Sequence, residues 1–114
     1  MLINCSAGKD RTGVAAALVL TVAGAPKAAI AEDYLATNAA DFSVLYAGRD
    51  DGPARMYRQA PHRLHPVLTA DLDYLDAAYA VFDAEHGGID GYVRDALGVD
   101  AAMQERIREV LLEG

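Results

Sequence analysis

The chain has 114 residues and one cysteine, so its length fits a single domain and an internal disulfide is excluded. Its formal net charge of -7 argues against non-specific binding to nucleic acid or to a membrane surface, since both need a positive protein surface. The longest apolar stretch, residues 14–25, is too short to span a bilayer, and nothing in the sequence resembles a signal peptide. We expect a cytoplasmic protein, with secretion by a route without a signal peptide left open.

The first third of the chain predicts a short strand, a loop and two helices. Residues 2–3 (Leu-Ile) are typical of the stub of a buried strand, and the loop at residues 5–11 follows. Residues 12–23 predict a helix that is apolar nearly all round and therefore buried, and Gly24 ends it. A second helix is expected over residues 26–38, because proline is favoured at a first helical position.

Residues 39–66 are the least regular part, since several glycines and prolines interrupt them. The arginines of this segment form either a solvated face or the lining of a cleft that attracts phosphate. Two histidines there suggest a metal pair, but no further Cys or His cluster supports a metal site. These arginines and histidines are Arg49, Arg55, Arg58, Arg63, His62 and His65.

Three further helices are predicted after this segment. Thr69 is a suitable N-cap for a long helix, with Asp71 in its first turn and Gly87 at its end. Asp90 caps a short helix, and Asp100 caps the last one. The sequence thus predicts a mostly α chain of five helices and one very short strand. The aromatic residues at helical spacing are expected in the core: Tyr34, Tyr74, Tyr79 and Phe82.

The loop at residues 5–11 has the residue types that phosphate-ester chemistry through a covalent intermediate requires. Cys5 stands just ahead of a helix N-terminus, where backbone N–H groups lower a thiol pKa and also bind anions. Arg11 offers a planar fork that fits two phosphoryl oxygens, and Gly8 lets the backbone wrap closely. Thr12 places a hydroxyl beside the sulfur, where it stabilises the thiolate as a leaving group.

The stretch Asn4-Cys5-Ser6-Ala7-Gly8-Lys9-Asp10-Arg11-Thr12-Gly13 resembles the catalytic loop of the protein tyrosine phosphatase superfamily. More narrowly, it is similar to the bacterial branch of tyrosine and dual-specificity phosphatases that also act on phosphoinositides. Residues 33–38, 65–75 and 91–98 also look like that branch. The resemblance implies that residues 1–114 are the helical C-terminal part of an α/β cysteine-dependent phosphatase fold, with only a stub of the parallel sheet.

The resemblance also implies roles for the loop residues. Cys5 is the nucleophile that forms a phosphocysteine, and Arg11 clamps the phosphate. Asp10 is the candidate general acid, although it could instead pair with Lys9 or with Arg11. The side chain of Lys9 is expected to contact an anionic substrate, and no metal or organic cofactor is needed. The residues expected to bind phosphate, mainly through backbone amides, are Ser6, Ala7, Gly8, Lys9, Asp10 and Arg11.

Two departures from the family pattern concern activity. Asn4 stands where the family usually has histidine, and asparagine carries no positive charge, so we expect a higher Cys5 pKa than histidine would give. The sheet that precedes the nucleophile in the family does not precede it here. The chain is therefore the C-terminal piece of a longer protein, or its missing half comes from another chain, for which a homo-oligomer is one route.

The expected function is hydrolysis of phosphomonoesters in phosphotyrosine, dual-specificity or phosphoinositide substrates. A truncated phosphate-binding or interaction module without turnover is the alternative, favoured by the missing sheet and by Asn4. A helix-turn-helix regulator around Gly98 is a third interpretation. The acidic charge opposes it, because recognition helices need arginine and lysine.

Overall fold

The computed structural model describes residues 2–5, 8–41, 43–64 and 68–112, and most of these residues are helical. The helices are α1 (Asp10–Ala23), α2 (Lys27–Leu35), α3 (Ser43–Tyr46), α4 (Gly52–Gln59), α5 (Leu72–His86), α6 (Ile89–Gly91) and α7 (Ala101–Leu111). Short 3-10 helices occupy Ala36–Ala39 and Pro61–Arg63, and a π-helical turn occupies Tyr92–Ala96. The mostly α prediction is therefore confirmed for the described part of the chain. None of the described helices is long and apolar enough to cross a membrane.

The core lies where α1, α2 and α5 meet. Its buried residues are Ala17, Ile30, Tyr34, Ala70, Leu75, Tyr79 and Phe82. The spacing of three and four residues on α5 places Leu75, Tyr79 and Phe82 on one helix face, as predicted. Tyr74 was also expected in the core, but it is 42% exposed, because it lies one position away from that spacing. Helix α7 packs against α1, and Arg108 Nε donates a 2.6 Å hydrogen bond to the carbonyl oxygen of Val22. This bond satisfies one of the carbonyls that the C-terminal end of α1 leaves without an intrahelical partner.

The molecule is elongated. Its radius of gyration is 16.8 Å, whereas a compact chain of about this length has roughly 13 Å. Helix α1 has Ala17 and Val22 as its buried residues, and most of its other side chains are half-buried. The prediction of a buried α1 is thus wrong for this chain. An apolar helix needs partners on every face to be buried, and the described neighbours cover only part of α1.

The predicted strand at Leu2 and Ile3 is also wrong for this chain. Residues 2–5 are irregular, and Leu2 is 89% exposed. A strand needs a neighbouring strand for its backbone hydrogen bonds, and the described ranges contain no strand that it could pair with.

Several helix ends follow their predicted signals. Gly24 and Gly87 adopt the left-handed conformation and end α1 and α5. Asp100 caps α7, because its Oδ1 accepts a 2.8 Å hydrogen bond from the N–H of Met103. These signals are local, so the sequence was sufficient to predict them.

Other boundaries differ from the prediction. The N-cap of α5 is Asp71, whose Oδ1 accepts from the N–H of Asp73 at 2.9 Å, and Thr69 lies outside the helix. Asp90 lies within the first turn of α6 and does not cap it. The second helix is α-helical to Leu35 and then tightens into a 3-10 turn. Each difference is a shift of a few residues at the end of a correctly predicted helix.

The segment predicted as irregular contains α3 and α4, whose Tyr46 and Tyr57 rings stack with centroids 4.8 Å apart. Three of the four arginines of this segment form exposed ion pairs: Arg49 with Asp51, and Arg55 and Arg58 with Asp50. Exposed pairs of this kind contribute little to stability. The solvated-face interpretation therefore fits these arginines better than a cleft lining.

Candidate active site

The candidate site lies where the loop leads into α1. Gly8 has a φ of 66°, a left-handed conformation that glycine adopts readily. Lys9 is the N-cap position, and Asp10 is the first helical residue. The backbone N–H groups of the first turn therefore have no acceptor within the helix and are available to an anion. Ser6 and Ala7 lie outside the described residues, so their part in the phosphate cradle stays a prediction.

The sulfur of Cys5 lies among these donors. Its pKa is lowered from the ordinary 9.0 to about 6. The Thr12 hydroxyl is the largest cause and the Thr12 backbone N–H is the second, while the N–H groups of Gly8 and Lys9 add smaller effects in the same direction. Partial burial opposes them. Because donors stabilise the charged form, Cys5 is mostly thiolate at neutral pH even with Asn4 beside it.

The Thr12 hydroxyl is placed to act on the sulfur. Its Oγ1 is buried and has no hydrogen-bond partner with full geometry among the described residues. Its contact with the Cys5 sulfur lies outside full hydrogen-bond geometry, although it lowers the pKa of the thiol. The proximity of the two groups matches the sequence analysis, and the role of Thr12 in releasing the thiolate stays a prediction.

Replacing Thr12 with valine is expected to raise the Cys5 pKa from about 6 toward its ordinary 9.0. Valine keeps the volume of threonine but removes the donor that most favours the thiolate. The rate of alkylation by iodoacetamide, followed from pH 5 to 10, gives the midpoint of thiolate formation. Thr21→Val is the control, because Thr21 Oγ1 donates to the Ala17 carbonyl within α1 at 2.7 Å. An unchanged midpoint in Thr12→Val would contradict this account of the low pKa.

Lys9 is turned into the protein. The residue is 2% exposed, and its Nζ donates a 2.8 Å hydrogen bond to the carbonyl oxygen of Thr69. The same Nζ lies 3.5 Å from Asp10 Oδ2 and 4.8 Å from the centroid of the Tyr74 ring. The alternative in which Asp10 pairs with Lys9 is thus present in the structure. Contact between the Lys9 ammonium and an anionic substrate stays a prediction, and it would require these bonds to rearrange.

Arg11 has a different environment. It lies on the first turn of α1 and is exposed, and its side chain makes no hydrogen bond or ion pair with another residue in the described ranges. It lines a cleft of about 310 Å³ together with Asp10, Val14, Tyr34, Tyr74 and Leu75. The cleft thus joins a carboxylate and a guanidinium to an apolar wall.

Tyr34 is a site residue that sequence reasoning assigned only to the core. It is buried, but its hydroxyl donates a 3.0 Å hydrogen bond to Asp10 Oδ1. Burial, followed by the hydrogen bond to Asp10 and the charge of Asp10, raises the pKa of Tyr34 to about 12. Helical spacing predicts that the ring is buried, but it does not predict which residue the hydroxyl group contacts.

Two other features are separate from this site. A groove of about 690 Å³ between α1 and α7 is larger than the cleft, but its lining is mainly apolar and includes none of the loop residues. The described residues contain no group of three or more His, Cys, Asp or Glu side chains that could hold a metal. His65, one member of the suggested metal pair, lies outside the described residues. The chemistry therefore points to the smaller cleft.

Comparison with known proteins gives matches along nearly the whole chain. Residues 1–113 match a family model described as the tyrosine phosphatase family. A candidate tyrosine-protein phosphatase of Cupriavidus necator is 40% identical over 104 residues, which cover 90% of this chain and 37% of the relative. The triple specificity protein phosphatase PtpB of Mycobacterium tuberculosis is 36% identical over 121 residues, covering 98% of this chain and 44% of the relative. The chain thus spans less than half the length of these relatives. No solved structure matches it significantly.

Proposed function

Because the chain belongs to the tyrosine phosphatase family, we propose that it takes part in the hydrolysis of phosphomonoesters through a phosphocysteine. The observation that carries this proposal is the Cys5 sulfur, whose pKa of about 6 is set by the hydroxyl and backbone N–H groups at the start of α1. A thiolate in that position is the nucleophilic form of cysteine at neutral pH.

The proposed reaction has two steps. In the first, the Cys5 thiolate attacks phosphorus, an S–P bond forms, and the bond between phosphorus and the ester oxygen breaks. Asp10 gives its proton to the departing oxygen, so the leaving group departs as an alcohol or phenol. In the second, water attacks the phosphocysteine while Asp10 takes a proton from it. The S–P bond breaks, inorganic phosphate leaves, and the Thr12 hydroxyl stabilises the restored thiolate.

Arg11 and the loop amides stabilise the phosphoryl group in both steps. The guanidinium of Arg11 holds two non-bridging oxygens, and the N–H groups at the start of α1 bind the same anion. Since the transferring group carries spread negative charge, positioning and electrostatics supply most of the acceleration. The absence of a competing partner for Arg11 among the described residues supports this role.

The proposed substrates are phosphoproteins, including phosphotyrosine, and phosphoinositides. The name of the Mycobacterium tuberculosis relative, a triple specificity protein phosphatase, supports a site that accepts more than one class of phosphomonoester. In this proposal the helices form one flank of an α/β phosphatase domain. An N-terminal half, or a second copy of the chain, supplies the sheet.

Phosphate binding without turnover is the second candidate. Asn4 stands where the family pattern has histidine, and Lys9 Nζ is bonded to the Thr69 carbonyl. A site of this kind keeps the anion cradle at the start of α1 but lacks the machinery for efficient chemistry.

Hydrolysis of p-nitrophenyl phosphate by the purified chain, with EDTA present and a Cys5→Ser control, tests the two candidates. The proposed function predicts turnover that disappears in Cys5→Ser, while calorimetry still detects phosphate binding to that variant. A folded chain that binds phosphate but does not turn over would favour the second candidate. Equal turnover in the Cys5→Ser sample would show a contaminating enzyme, and a folded chain with neither activity nor binding would exclude both candidates.

A further inference from the structure

The segment before α5 is bonded to the candidate site at successive residues. The carbonyl oxygen of Thr69 accepts from Lys9 Nζ at 2.8 Å. Asn38 and Ala70 exchange two hydrogen bonds: Asn38 Nδ2 donates to the Ala70 carbonyl at 2.9 Å, and the Ala70 N–H donates to Asn38 Oδ1 at 2.8 Å. These bonds join residues more than 30 positions apart in the chain, so they fix the segment relative to the loop.

The next residue of this segment continues the connection through Tyr34. The backbone N–H of Asp71 lies close enough to the Tyr34 hydroxyl to oppose, in part, the rise in its pKa. That hydroxyl donates a 3.0 Å hydrogen bond to Asp10 Oδ1. The Tyr34 hydroxyl therefore connects the hydrophobic core to the Asp10 carboxylate.

Gly13 allows the Tyr34 ring to lie close to α1. A Cβ placed on Gly13 would lie 2.8 Å from Tyr34 Cδ2 and 3.0 Å from Cε2, which is closer than carbon atoms can pack. The glycine lets the Tyr34 ring lie against the first turn of α1, so that its hydroxyl reaches Asp10 at the start of that turn. Gly13, the last residue of the loop motif, thus leaves the space that Tyr34, a residue outside the motif, occupies.

We propose that Tyr34 is a positioning residue for Asp10: its hydroxyl holds Oδ1 and so fixes the orientation from which the carboxyl group passes its proton to the leaving oxygen. This inference rests on the proposed function of Asp10 as general acid. The Asp10 side chain is 55% exposed, and its Oδ2 lies 3.5 Å from Lys9 Nζ. The bond from Tyr34 is the shorter of the two contacts, so its loss would leave the orientation of the carboxyl group less restricted. A general acid must lie within hydrogen-bond reach of the leaving oxygen, and fixing its orientation contributes directly to the rate.

The dependence on leaving group separates this role from a structural one. In Tyr34→Phe, kcat for phenyl phosphate is expected to fall about tenfold, which is the size of effect that loss of a charge-assisted hydrogen bond produces. For 2,4-dinitrophenyl phosphate the fall is expected to stay below about twofold, because that leaving group departs without a proton. An equal fall on both substrates, or no fall on either, would overturn the proposal.

Tyr79→Phe is the matched control. Tyr79 belongs to the same core, but its buried hydroxyl has no hydrogen-bond partner in the described part of the chain. Its removal is expected to leave kcat unchanged on both substrates. Urea unfolding of both variants shows whether either loses its fold.

A second measurement tests the hydrogen bond without turnover. With tyrosine labelled at the ring carbon that bears the hydroxyl, NMR follows the titration of Tyr34, whose pKa is raised to about 12. Asp10→Asn removes the negative charge and is expected to lower that pKa. Asp76→Asn, a carboxylate that acts on Tyr79, is expected to leave it unchanged. A Tyr34 pKa that does not respond to Asp10→Asn would overturn the inference, whereas a response in an inactive chain would place the failure in the proposed function.

Discussion

Replacement of Arg11 by lysine is expected to lower kcat/KM for phenyl phosphate by about 10³-fold, the effect of losing a principal donor to the transition state. Arginine presents a rigid planar fork to two phosphoryl oxygens, whereas lysine offers a single point charge on a flexible stem. The structure leaves Arg11 available for this role, since it is exposed and makes no ion pair among the described residues. By contrast, Arg49 is paired with Asp51.

Arg106→Lys provides the control for this prediction. Arg106 is also exposed, but it lies on α7 and lines the apolar groove away from Cys5. Its replacement is expected to leave kcat/KM within about twofold, as surface substitutions usually do. Neither variant is expected to change the free energy of unfolding by more than about 0.5 kcal/mol. If Arg11→Lys kept more than a tenth of the activity, the clamp role of Arg11 would be wrong.

The loop could be predicted from the sequence because its requirements are local. A cysteine, a glycine able to adopt positive φ, and an arginine on the first turn of the following helix must occur at fixed spacing. The structure places Gly8 at a φ of 66° and starts the helix at Asp10, two residues before the predicted start, so that Arg11 lies on its first turn. The low pKa of Cys5 follows from the same local arrangement, since its main causes are Thr12 and the loop amides.

The start of α5 could not be predicted, because it depends on contacts between distant residues. Thr69 is a suitable cap by residue type, but its carbonyl accepts from Lys9 and the next residue exchanges two bonds with Asn38. These bonds hold the segment outside the helix, and Asp71 becomes the cap. A propensity that favours a cap by about 1 kcal/mol is readily outweighed by three such bonds.

The strand at Leu2 and the hydroxyl of Tyr34 are two further features that depend on distant parts of the chain, which local sequence patterns do not describe. A pair of apolar residues predicts a strand only where a sheet is present, and the described residues supply none. The spacing that correctly predicts a buried Tyr34 ring says nothing of its bond to Asp10. Local patterns thus identified the proposed nucleophile and the proposed phosphate clamp, whereas the hydrogen bond between the proposed acid and the core required the structure.

Replacement of Phe82 by alanine is expected to lower the free energy of unfolding by about 3–5 kcal/mol, the usual cost of removing a buried phenyl ring. Phe82 is 8% exposed, and its ring lies 4.6 Å from the Tyr92 ring and 6.4 Å from the Tyr79 ring, measured between centroids. The ring therefore joins α5 to the π-helical turn at Tyr92–Ala96. Urea unfolding followed by circular dichroism measures the change.

The effect of Phe82→Ala is expected to be severe because this chain has little stability to lose. Small domains have total stabilities of about 5–15 kcal/mol, and an elongated chain with half-buried α1 side chains lies at the low end of such a range. The neighbouring Val81 is 51% exposed, so Val81→Ala on the same helix is expected to cost less than about 1 kcal/mol. Similar losses in the two variants would mean that the aromatic contacts of α5 do not hold the helices together. A large loss confined to Phe82→Ala would show that the core behind the candidate site depends on this ring.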